Sequence, residues 1–110
     1  MWNPPTVKQL AAMPGYRKQD GKGLKNQVIH MHFFIGGSDW YAAEYDPETG
    51  TFFGFTILNG DMEMAEWGEF SLEEMLSVKI FPGVEIDRDL HWEVRRAEEV
   101  DKIAEAQGWR

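Results

Sequence analysis

Cysteine is absent from this chain of 110 residues. That excludes disulfides, thiolate metal centres and cysteine nucleophiles, and a secreted disulfide scaffold is not expected. No apolar run approaches the ~20 residues that a membrane helix needs. The opening Met1-Trp2-Asn3-Pro4-Pro5 has neither a basic n-region nor an apolar core, so no signal peptide is expected and the reading is a cytoplasmic protein. Positive charge is scarce. Eleven Lys and Arg face 19 Asp and Glu, for a net charge of −8 and a pI near 4.8. This deficit argues against direct nucleic-acid binding, because phosphate contacts are made by Lys and Arg. Also missing are a Gly-rich phosphate loop with its Lys, a Gly-x-Ser-x-Gly elbow and a His-Glu-x-x-His pair. The sequence therefore predicts no cofactor.

The scarcity is also uneven. Residues 26–78 contain no Lys or Arg at all, yet hold Asp39, Glu44, Asp46, Glu48, Asp61, Glu63, Glu66, Glu69, Glu73 and Glu74. Residues 1–25 are basic, with Lys8, Arg17, Lys18, Lys22 and Lys25 against Asp20. If the central carboxylates gather on one face, that face steers cationic partners. The ordinary alternative is a solvated surface kept soluble by like charge.

What is present is a globular composition: 43% hydrophobic and 27% charged residues, with five Trp, seven Phe and three Tyr. These predict one domain spanning 1–110 with an aromatic-rich core. Thr6, followed by Val7, Leu10, Ala11 and Met13, predicts a short N-terminal helix stopped at Pro14-Gly15. Residues 15–26 mix three Gly with four basic residues and predict a mobile basic loop. From Gln27 to Ile35 the period is two: Ile29, Met31, Phe33 and Ile35 on one face, Val28, His30, His32 and Phe34 on the other. Trp40–Tyr45, Thr51–Leu58 and Glu66–Phe70 are further strands, separated by turns at 36–39, 46–50 and 59–61. Ser71 is an N-cap, with Glu74 completing a capping box, for a helix ending near Val78. Lys79–Ile86 offers one or two extended pieces broken at Pro82-Gly83, and Arg96–Gln107 forms a C-terminal helix. Turns this short require antiparallel pairing. The expected fold is α+β: an antiparallel meander of four or five strands with two or three short helices, the N- and C-terminal ones covering the sheet.

Several phrases carry a family resemblance. They are His32-Phe33-Phe34-Ile35-Gly36-Gly37-Ser38-Asp39-Trp40-Tyr41, Glu44-Tyr45-Asp46, Phe53-Gly54-Phe55, Leu58-Asn59-Gly60-Asp61, Ala65-Glu66-Trp67-Gly68 and Glu85-Ile86-Asp87-Arg88-Asp89-Leu90, with Met1-Trp2-Asn3. Together they resemble the bacterial domain-of-unknown-function family 2958. The resemblance implies a short single-domain protein of plasmids, conjugative elements or phages, with no catalytic residue or ligand to carry over. Small acidic proteins of such elements often inhibit host defence by occupying a nucleic-acid site on a nuclease or CRISPR complex, an analogy of context and charge.

His30-x-His32 is the most suggestive metal pattern, since i and i+2 side chains of a strand point the same way. Asp39, Glu44 and His91 are candidate third ligands; the ordinary reading is two sheet-face histidines bonded to carboxylates or covered by rings. Asp87-x-Asp89 reads as a hard-cation site or a carboxylate pair for acid–base work or, more ordinarily, as an Asx turn or a charge pair with Arg95 or Arg96. Ten of the large aromatics exceed what one small core hides, which suggests an exposed protein-binding patch or simply an aromatic-rich core. The sequence thus predicts a non-enzymatic acidic interaction protein of a mobile element, docking on a basic surface of a host or element protein. Its working residues would be Asp39, Glu44, Asp46, Asp61, Glu63, Glu66 and Glu69. The alternatives are a small metal-dependent enzyme using His30 and His32, and a homo-oligomer closing an apolar sheet face on itself.

Overall fold

The computed structural model describes the backbone of residues 1–81 and 83–110 and the side chains of all of these except 79–81. Helix α1 (Val7–Ala11) begins at Thr6, whose Oγ1 accepts the Gln9 N–H at 3.1 Å while Gln9 Oε1 accepts the Thr6 N–H at 2.8 Å. This reciprocal pair satisfies two of the N–H groups that a helix start leaves open. The strands that follow are β1 (Val28–Ile29), β2 (Met31–Ile35), β3 (Ser38–Asp46), β4 (Thr51–Ile57) and β5 (Glu66–Ser71). Helix α2 (Leu72–Ser77) starts at Ser71, whose Oγ accepts the Glu74 N–H at 3.2 Å. Short strands β6 (Lys79–Phe81), β7 (Val84–Glu85), β8 (Asp87–Arg88) and β9 (Arg95–Arg96) lead to α3 (Asp101–Ala106). The expected break at Pro82-Gly83 falls partly outside the described residues, at Pro82.

The fold is α+β, as expected: an antiparallel sheet in the order β5-β4-β3-β2-β8, with short helices near both ends of the chain. Strands β2 to β5 form the meander. Each face of the sheet buries its own cluster. One holds Met31, Phe33, Ile35, Ala42, Tyr45 and Phe52, covered by Met13, Met75 of α2 and Ile86. The other holds Tyr41, Ala43, Phe55 and Ile57, covered by Ala97, Val100 and Ile103. Both faces are thus covered by the chain's own elements, so self-association through an apolar sheet face is not what buries them. Among the described residues, no helix is long and apolar enough to cross a membrane.

Three local expectations are corrected. The strand over 27–35 is two strands, because at His30 the chain leaves the main sheet: β1 pairs with β9, while the His30 N–H still donates to Ala42 O at 2.8 Å. Ile29 therefore packs in the second cluster, not with Met31 and Phe33. The C-terminal helix is also split. A 3-10 turn spans Ala97–Glu99, and Val100 has extended backbone (φ −92°, ψ 110°) before α3 begins. Finally, the loop over 15–26 is anchored at Gln19, which is 3% exposed. Its Nε2 donates to Val28 O and Ala43 O, its Oε1 accepts the Val28 N–H, and its carbonyl accepts from Gln27 Nε2.

A β-bulge between Ala42 and Glu44 shifts the β3–β4 register by one residue. It puts Tyr45 on the face of Ala42, where strict alternation from Tyr41 and Ala43 would have put it on the other. Across from Ala42, Gly54 approaches β3 so closely that a Cβ there would lie 1.9 Å from Tyr41 O.

Candidate functional site

The seven carboxylates singled out by sequence do not form one array. Asp39 and Glu44 lie inside the fold, 4% and 5% exposed. Glu44, just past the bulge, accepts the backbone N–H of Gln19 at 2.9 Å and of Arg17 at 3.3 Å. It fastens the basic loop to β3. Asp46 closes the turn after β3, accepting from Glu48 N–H and Thr49 Oγ1 at 3.0 Å each. Glu69 is exposed on β5 and, with Glu44, Phe53 and Tyr16, lines a small cavity of about 190 Å³. Burial pushes the Tyr16 hydroxyl above the usual tyrosine range, and the charges of Glu69, Asp46 and Glu44 push the same way, against a 2.7 Å hydrogen bond with Thr51.

Asp61, Glu63 and Glu66 follow the connection from β4 to β5, and all three are exposed. Asn59 and Gly60 turn the chain with positive φ (53° and 70°). Asp61 Oδ1 then accepts the N–H groups of Glu63 and Met64 at 3.2 Å each. This fixes the connection, as short Asx turns do. Leu58 and Met64 stand out of it, 54% and 76% exposed. Leu58, Asp61, Met64 and Glu66 line one concavity of about 290 Å³. Among the described residues, no Lys or Arg pairs with Asp61, Glu63, Glu66 or Glu69.

The histidines part company. His32 Nε2 lies 2.7 Å from Asp39 Oδ1, and its Nδ1 lies 3.1 Å from Asp89 Oδ2. Carboxylates only accept, so both bonds form when both ring nitrogens carry hydrogen. The imidazole is stacked on Tyr41, with centroids 4.6 Å apart and planes 7° apart, and Trp92 lies against both rings. Lys102 of α3 completes the network through Asp39 Oδ2 at 2.9 Å. Burial alone would raise the Asp39 carboxyl, but the hydrogen bonds from His32 and Lys102 prevail and hold it below its usual range. For Asp89, burial is likewise outweighed by the His32 bond and the His91 N–H. Burial pushes the Tyr41 hydroxyl well up, with the Asp39 charge adding to it.

Both ring nitrogens of His32 are thus occupied within the protein. His30 lies at the strand break and lines a different groove, beside Met13, Met31 and Trp92. Among the described residues, no group of three or more His, Asp and Glu is arranged to hold a metal ion. Of the proposed third ligands, Asp39 meets His32 as a hydrogen-bond acceptor. Glu44 is engaged with the 15–26 loop, and the His91 N–H donates to Asp89 Oδ1 at 2.9 Å. Asp87 accepts from Asn3 Nδ2 at 2.9 Å, so Asp87 and Asp89 serve separate contacts.

Of the aromatics, Trp92 donates to Ile29 O and Trp67 donates to Gln107 Oε1, both at 3.0 Å, and Arg95 stacks over Trp92. These two indoles are partly buried, whereas Trp2 is 45% exposed. Sequence reasoning missed Lys102, Gln19 and Tyr16. Only Lys102 carries a charge, and nothing in its local sequence points across the chain to Asp39.

The chain belongs to the family described as Protein of unknown function (DUF2958), whose model matches residues 4–108. No curated protein and no solved structure matches it.

Proposed function

We propose that this protein is a non-enzymatic interaction protein that docks on a basic surface of another protein through the β4–β5 edge. The observation that carries the reading is the grouping of Asp61, Glu63 and Glu66, unpaired by any Lys or Arg among the described residues, with exposed Leu58 and Met64. Such a surface offers carboxylates to Lys and Arg heads, and apolar side chains to their aliphatic stems. Glu69 extends the acidic edge along β5. A setting on plasmids, conjugative elements or phages, which the resemblance implies, and the net charge of −8 motivate a more specific reading. In it, the protein works inside the bacterial cell and occupies a nucleic-acid-binding surface of a host defence enzyme, its carboxylates standing where phosphates would.

A comparison of two charge-neutralised variants in a pull-down from bacterial lysate tests this. D61N/E63Q/E66Q/E69Q should lose the captured partner. E48Q/E73Q/E74Q/E105Q, with the same charge change elsewhere, should keep it. Duplex DNA added to the beads should release the partner. Equal capture by both variants would overturn the edge as the docking surface, and indifference to DNA would overturn the nucleic-acid mimic.

A further inference from the structure

A locally basic groove crosses the opposite part of this acidic protein. Two cavities, of about 260 and 400 Å³, share Ala12, Met13 and His30 as their common wall. The larger falls within the range of about 300–1,000 Å³ typical of small-ligand sites, and the smaller lies just below it. One end is lined by Lys18 and Lys22. The other is lined by Trp92 and Arg88. Lys18 and Lys22 form no ion pair among the described residues, and the Arg88 guanidinium donates to a neutral group, Asn3 O, at 2.9 Å. Asp89 is the carboxylate in this lining, and it is already engaged by His32 and by the His91 N–H.

His30 stands where the two cavities meet. It is half-buried, and its imidazole has no hydrogen-bond partner among the described residues. Burial and the neighbouring Lys22 charge hold it below the usual histidine range. A neutral imidazole presents one N–H donor and one acceptor nitrogen. The backbone supplies the reason for its position: the strand break at His30 turns this side chain away from the Tyr41 stack that His32 occupies.

We propose that the groove binds a phosphorylated aromatic of mononucleotide size, its phosphate against Lys18, Lys22 and His30 and its flat apolar part against Met13 and Trp92. The site is independent of the acidic edge. The net charge of −8 disfavours a polyanion over the rest of the surface.

The test is heteronuclear NMR on the labelled full chain, with adenosine 5′-monophosphate, adenosine and inorganic phosphate as separate probes at millimolar concentration. The monophosphate should shift amides in 12–22 and 28–31 and raise the titration midpoint of the His30 imidazole, because a bound anion offsets the Lys22 charge. The K18Q/K22Q variant changes two exposed side chains, so its spectrum should keep the folded dispersion while its affinity falls about tenfold or more. Adenosine binding as tightly as the monophosphate would overturn the anionic half of the proposal. Phosphate binding as tightly would overturn the apolar half. No shifts with any probe, or shifts confined to other residues, would overturn the site.

Discussion

Lys102 Nζ lies 2.9 Å from Asp39 Oδ2, tying α3 to β3 across 63 positions of sequence. The other oxygen of the same carboxylate holds His32. Asp39 therefore joins three elements while almost wholly buried. D39N should cost about 2–4 kcal/mol, because it removes the buried carboxylate to which both His32 and Lys102 bond. K102A, on a half-exposed side chain, should cost no more than about 1 kcal/mol. Urea denaturation of both variants checks the ranking.

The same network predicts acid lability. Asp39 and Asp89 are held below the ordinary carboxylate range in the folded chain. A carboxyl depressed on folding stabilises the protein above its unfolded pKa of about 4, and that contribution is lost as pH falls through it toward the folded value. The urea midpoint should be flat near neutrality and drop below about pH 4.5, and the drop should be smaller in D39N. An equal drop in D39N would assign the acid lability to other groups.

Gly54 and Gly68 face each other across β4 and β5, yet they should respond oppositely to alanine. A Cβ at Gly54 would meet the Tyr41 carbonyl oxygen at 1.9 Å, whereas one at Gly68 meets nothing within 4 Å. G54A should cost about 3 kcal/mol or more, since only backbone movement relieves the clash. G68A should stay within about 0.5 kcal/mol of the parent. Thermal denaturation of the pair reads both.

Gln19 anchors the basic loop. Q19A strips partners from Val28 N–H, Val28 O and Ala43 O. A cost of about 2–3 kcal/mol follows from leaving buried backbone groups unsatisfied. Faster trypsin cleavage at Lys18 and Lys22, and faster hydrogen exchange at the Val28 amide, should accompany it. Unchanged exchange at Val28 would show that the anchor lies elsewhere.

The meander was legible because its signals are local. Asp46-Pro47-Glu48-Thr49-Gly50 forms its turn with Gly50 at φ 69°, and Thr6 and Ser71 cap helices as their positions suggest. What was not legible depends on distant partners. The period of two holds from Met31 to Ile35 but says nothing of the break at His30, which exists because β9 captures β1. Ala42-Ala43-Glu44 gives no sign of a bulge, yet the bulge places Glu44 where the 15–26 loop can claim it. Asp39 and Asp61 look alike in sequence, each beside a Gly-containing turn. One is buried by Lys102 and His32, and the other stays at the surface because the β4–β5 connection has nothing above it among the described residues. Charge was readable from sequence; whether a given charge faces solvent was set by tertiary contacts.

The central claim is that Asp61, Glu63 and Glu66 form the docking edge. It is tested most directly by the affinity for the captured partner, purified and measured by calorimetry across a sodium chloride series. The account predicts that affinity falls about tenfold or more as salt rises from low to moderate ionic strength, and that D61N/E63Q/E66Q flattens this dependence while weakening binding. An affinity indifferent to salt, or unchanged in that variant, would contradict it.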